Sequence, residues 1–152
     1  MRFRTLAALL LLLAIPAKGQ DIADRLAGGS TVCFSFRSEG KLNAEGSVRL
    51  CGSRYHVQMG PTEIYCDSLT RWTLDRDSRE LYIEPADGAQ NFWAALPYVQ
   101  DLKVGENEIT GAYDGTTFHI HTILWLPKMP EEAFRFNAGS LPADWVCTDL
   151  RL

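Results

Sequence analysis

The chain has 152 residues and offers few of the usual chemical signatures. It contains no G-x-S-x-G nucleophile turn, no glycine-rich phosphate loop and no arrangement of histidine with a free thiol. Its four cysteines include no C-x-x-C pair, and their spacing fits no zinc motif. Histidine occurs three times. No basic patch interrupts a net charge of −4, which argues against nucleic acid and against permanent residence on an anionic bilayer. Internal repeats, linkers and low-complexity tracts are absent after residue 20, and long amphipathic helical patterns are nearly absent as well. These gaps leave no evident nucleophile and no expected cofactor, so an enzyme is not the leading reading.

One long apolar run exists, Leu6 to Ile15, behind Arg2 and Arg4. With the small residues of Ala17-Lys18-Gly19-Gln20 it reads as a secretory signal over residues 1–20, cleaved before Asp21. The run is too short to span a bilayer, which takes roughly 20 apolar residues. No cysteine lies near the cleavage point, so the pattern is not that of a lipidated lipobox protein. Residues 21–152 are then a single domain with 12 basic and 19 acidic residues, a balance of −7. Cys33, Cys51, Cys66 and Cys147 all belong to this exported part. An even count in an oxidising compartment predicts two disulfides. Cys51–Cys66 is favoured because both fall at turns on one end of a meander, and Cys33–Cys147 would tie the first strand to the last.

What the chain has in quantity is alternation. "SLTRWTLDRDSRELYIEP" places Trp72, Leu74, Leu81 and Ile83 on every second position around a polar turn. "TVCFSFR", "EGSVRLCG" and "RYHVQM" repeat the pattern with Phe34, Phe36, Val48, Leu50, Tyr55, Val57 and Met59. Arg49, His56, Gln58, Arg71, Thr73, Glu80 and Glu84 then share the second face. Short strands about ten residues apart predict an antiparallel meander. "NFWAALPYVQDL" (91–102) breaks the rhythm and is the best helical candidate, bent at Pro97. Strands resume at "NEITGAYD", turn at Asp114-Gly115, and continue through "TTFHIHTILWL", "AFRFN" and "DWVCTDLRL". Asp21 to Ala27 offers one more short helix. So wide a one-sided sheet needs another layer or must curl on itself. Two outcomes stay open: a hollow that accepts hydrocarbon, or a barrel or sandwich sealed by its own side chains.

The chain resembles the LolA-like family, periplasmic carriers that escort lipoproteins between the membranes of Gram-negative bacteria. The likeness covers most of residues 21–152. It is carried by Gly46 in "AEGSVRL", by "RYHV", by "YCDSLTRWTLDRDSRELYIEP" and by the final "FRFNAGSLPADWVCTDLRL". The resemblance implies a strongly curved antiparallel sheet, an incomplete β-barrel, with a helical lid over an apolar cavity that holds acyl chains. It implies a monomeric chaperone with acylated lipoproteins as cargo, an inner-membrane lipoprotein-releasing transporter and an outer-membrane acceptor. Three positions depart from the family. Ser68 stands where glycine is usual, so that turn is of another type or strained. Cys51-Gly52 replaces an Arg-Pro latch, and neither Arg49 nor Arg54 takes the latch by position. The first helix is short, which implies a thin lid.

On this reading Phe34, Phe36, Val48, Leu50, Tyr55, Val57, Met59, Trp72, Leu74, Leu81 and Ile83 line one cavity, with Phe92 and Trp93 from the lid. Leu74→Glu is expected to abolish lipoprotein binding in a protein that is still exported. Two other classes of function remain. One is a binding protein for a free lipid or isoprenoid. The other is a metal-dependent enzyme using His119 and His121, which share a strand face and would need His56 or Asp114 as a third ligand. Solvent-facing histidines are the simpler reading.

Overall fold

The computed structural model describes residues 28–86 and 99–151. Ten strands form one sheet: β1 (Thr31–Gly40), β2 (Ala44–Cys51), β3 (Arg54–Met59), β4 (Thr62–Cys66), β5 (Thr70–Asp75), β6 (Glu80–Pro85), β7 (Gln100–Val104), β8 (Glu108–Tyr113), β9 (Thr116–Leu126) and β10 (Val146–Asp149). Their order across the sheet is β10-β6-β5-β4-β3-β2-β1-β9-β8-β7. The expected meander runs from β1 to β6, and β9 returns to pair with β1. Asp114 and Gly115 make the β8–β9 turn with φ of 48° and 74°, the double positive φ that a tight hairpin requires.

The connection between β4 and β5 holds a serine in left-handed backbone. Ser68 sits at φ 85°, a region that costs an L-residue roughly 1–2 kcal/mol. Asp67 compensates: its Oδ1 accepts the backbone N–H groups of Leu69 (3.0 Å) and Thr70 (2.8 Å). Ser68→Gly is therefore expected to stabilise the fold by about 1 kcal/mol and raise Tm by about 4 °C in a thermal melt.

The expected antiparallel sheet beneath a helical lid is corrected by this architecture. The sheet is open and mixed, because β10 runs parallel to β6. Among the described residues there is no α-helix, only two 3-10 turns at Glu131–Phe134 and Ala138–Ser140. Pro127, Pro130 and Pro142 divide the tail after β9 and keep its turns short. "AFRFN" enters one of those turns instead of forming a strand, and the last three residues of the helical candidate, Gln100 to Leu102, belong to strand β7. Phe92 and Trp93, like the expected leader and the helix expected at Asp21 to Ala27, lie outside the described residues. No helix among the described residues is long and apolar enough to cross a membrane.

The tail explains the parallel strand. Met129 donates its N–H to Thr31 Oγ1 (3.1 Å), and Arg135 Nε donates to the buried Asp67 carboxylate (3.1 Å). The tail thus crosses the Asp67 end of the sheet. It then descends one face to the opposite end, where Arg79 pairs with Asp144 and accepts the N–H of Val146. From there β10 can only rise in the direction of β6.

Both expected disulfides are corrected as well, since all four cysteines are free thiols. Cys66 shares a sheet face with Tyr55, its cross-strand partner. Cys51 lies next to Leu50 along β2 and so projects to the other side. Cys33 and Cys147 are six strand spacings apart in the sheet order, and spacings of ~4.8 Å far exceed disulfide reach.

Candidate functional site

Directly opposed residues of an antiparallel pair share a sheet face, so the registers assign every side chain to one of two faces. On face A, Phe34 opposes Val48, Val48 opposes Val57, and Val57 opposes Ile64. Phe36 opposes Ile120, which opposes Ile109. These residues belong to one buried cluster spanning six neighbouring strands, from β4 to β8, completed by Val32, Leu50, Tyr55, Cys66 and Phe118.

Between β4 and β5 the apolar set changes sides. Ile64 opposes Thr73 and Cys66 opposes Arg71, whereas Trp72 opposes Tyr65 and Leu74 opposes Glu63. Trp72, Leu74, Leu81 and Ile83 therefore form a second cluster on face B, packed with Tyr65 and with Phe136, Ala138, Leu141 and Trp145 of the tail. The eleven residues expected to line one cavity divide accordingly. Phe34, Phe36, Val48, Leu50, Tyr55, Val57 and Met59 meet on face A, while the other four are on face B. Sequence reasoning missed Ile64, Ile109, Phe118 and Ile120, although each alternates with a polar neighbour in its strand.

Face A becomes polar where it crosses onto β5 and β6. One row reads Leu50, Tyr55, Cys66, Arg71, Glu84, and the next Val48, Val57, Ile64, Thr73, Tyr82. Arg71 Nη2 donates to Glu84 Oε2 at 3.0 Å, with side chains only 12% and 23% exposed. Burial alone would lower the Arg71 pKa, but Glu84 and the Tyr55 hydroxyl outweigh it and hold the guanidinium firmly charged. Burial pushes the Tyr55 phenol up, and the neighbouring Cys66 adds to this. Burial also raises the Cys66 thiol, so at neutral pH it is a poor nucleophile. The Thr73 hydroxyl is buried and has no hydrogen-bond partner.

Face B carries a second polar group. Glu63 accepts from the Tyr65 hydroxyl (2.7 Å), meets His56 Nε2 (2.9 Å) and pairs with Arg76. Burial favours its protonated form, yet Tyr65, Arg76 and His56 together hold the carboxyl below its usual range. The Tyr65 phenol is pushed up to about 12, first by burial and then by Glu63. With its acceptors filled, this carboxylate ties β3, β4 and the Arg76 turn together.

Among the described residues the metal reading finds no geometry to support it. His119 Nε2 meets Glu108 (3.0 Å), and His121 Nδ1 meets the Thr122 hydroxyl (2.9 Å). The expected third ligands are elsewhere, His56 on Glu63 and Asp114 on Lys41. Among the described residues no three His, Cys, Asp or Glu side chains are placed to hold an ion. An open groove of about 440 Å³ at the rim is lined by Arg54, Lys128, Met129, Pro130, Glu131 and Glu132. Its mixed charges do not suit hydrocarbon.

No family model and no curated protein matches the chain. Among solved structures the chain is similar to an uncharacterized conserved protein from Thermus thermophilus. The TM-score is 0.51 at 10% identity, over 87% of this chain and 99% of that one, so the likeness is one of fold alone.

Proposed function

We propose that this protein is a periplasmic carrier that receives the acyl chains of lipoproteins on face A and escorts them toward the outer membrane. One observation supports the reading most: six adjacent strands of an open sheet contribute to one continuous apolar cluster on a single face. Each methylene buried there contributes roughly 0.8 kcal/mol, offset by the ordering of cargo and protein. Many weak apolar contacts hold a cargo that must later be surrendered, and they require no reactive group. The leader-like residues 1–20 and the resemblance of the chain to lipoprotein carriers supply the compartment, the inner-membrane donor and the outer-membrane acceptor.

Met59, half-buried beside the face A cluster, provides the test. In titrations with a triacylated lipopeptide, the native protein is expected to bind, and Met59→Glu to bind at least tenfold more weakly with unchanged circular dichroism. A charge at that margin opposes hydrocarbon burial without entering the packed centre. Native mass spectrometry of protein isolated without detergent should show a co-purifying triacylated protein. A native protein that ignores the lipopeptide and carries only a free lipid, or stoichiometric zinc, defeats the proposal.

A further inference from the structure

We infer that the polar margin of face A, built from Thr73, Arg71 and Glu84, reads the uncharged ester linkage of an acyl ligand and turns away fatty-acid carboxylates. This rests on the carrier reading and refines it. The first observation is Thr73 itself. It is 9% exposed, and its Oγ1 is buried without a partner. A valine would fill the same space without stranding a hydroxyl, so the fold gains nothing from the oxygen. A ligand carbonyl would give that O–H the acceptor it lacks.

Position is the second observation. Thr73 opposes apolar Ile64 on one side and Tyr82 on the other. Hydrocarbon lying across β1 to β4 therefore brings its first polar group to β5, one strand spacing of ~4.8 Å further on. Tyr82, opposed to Thr73, is 36% exposed, and displacement of that ring is the access the inference requires.

Charge is the third. Arg71 is the one cation on this margin among the described residues, and Glu84 and Tyr55 engage it. Asp75 and Glu80, opposed in the next row, add two carboxylates. A fatty-acid anion would meet net negative charge and no free cation, whereas an ester needs only a donor. The linkage that joins acyl chains to a glyceryl-modified protein is of the favoured kind.

The test uses a pyrene-labelled C16 fatty acid and its methyl ester, titrated at pH 8 into the native protein and into Thr73→Val, Thr73→Ser and Glu84→Gln. Native protein is expected to bind the ester about tenfold more tightly than the acid. Thr73→Val should lose most of that preference through weaker ester binding, with acid binding unchanged and Tm equal or higher. Thr73→Ser should keep the preference, and Glu84→Gln should admit the acid. Ester binding by Thr73→Val that equals the native value, or a native preference for the acid, overturns the inference and leaves the carrier reading standing. Failure of both probes to bind the native protein overturns the carrier reading, and the inference with it.

Discussion

Leu74→Glu is expected to leave no folded protein to assay. Leu74 has no exposed surface and packs on face B against Leu81, beneath the tail. Its other cross-strand neighbour is Glu63, a buried carboxylate that three donors keep ionised. A glutamate at 74 would place a second carboxylate beside the first, whose ion-pair partner Arg76 is already engaged. Burying an unpaired charge costs several kcal/mol, a sum comparable with the roughly 5–15 kcal/mol that holds a domain of this size together. Soluble yield and a circular dichroism melt measure the outcome. Leu74→Ala is the companion: it should lose about 2–5 kcal/mol, stay folded and bind the lipopeptide like the native chain. A Leu74→Glu protein that melts normally and fails only to bind ligand would return Leu74 to the ligand face and refute the two-sided arrangement.

Gly46→Ala should be the most damaging of the small substitutions. Gly46 lies between Phe36 of β1 and Met59 of β3. A Cβ there would overlap the carbonyl oxygen of Gln58, which is backbone and cannot rotate away. The strands would have to part in the middle of the sheet. Overpacking of this kind costs about 3 kcal/mol, a fall in Tm of about 10 °C for a domain of this length. Thermal denaturation tests it, and a melting point within a degree or two of native would mean that β2 and β3 are not so closely apposed.

Most of the strands were legible in the sequence because a period of two is a local property; β7, expected within a helix, and "AFRFN", expected as a strand, were not. β9 spans the same residues as "TTFHIHTILWL", and the Asp114-Gly115 hairpin falls where its dipeptide places it. The face on which each strand buries its apolar residues was not legible, because that depends on the parity of the turns. Four residues separate the opposed pair Cys66 and Arg71, so an even-numbered residue on β4 faces an odd-numbered one on β5. One residue more or fewer would have put Trp72 and Leu74 beside Ile64. The signal was present in the Asp67 turn, whose carboxylate caps Leu69 and Thr70, and in the large apolar side chains Phe136, Leu141 and Trp145 that follow β9. Such residues in a tail imply a second surface to cover. The direction of β10 was hidden for another reason. A parallel edge strand depends on the route of the chain across the molecule, and no local period encodes a route.

The cover for Trp72, Leu74, Leu81 and Ile83 comes from residues that follow nine of the ten strands. A ribosome therefore completes β6 about sixty residues before it reaches Trp145, an interval of several seconds at ~5–20 residues per second. Through that interval a tryptophan and three aliphatic side chains stay wet on a nascent sheet. Interrupted synthesis or premature proteolysis leaves a sticky fragment instead of a smaller functional one, and a holding factor that shields the nascent chain would have its greatest effect on yield during the final third of translation.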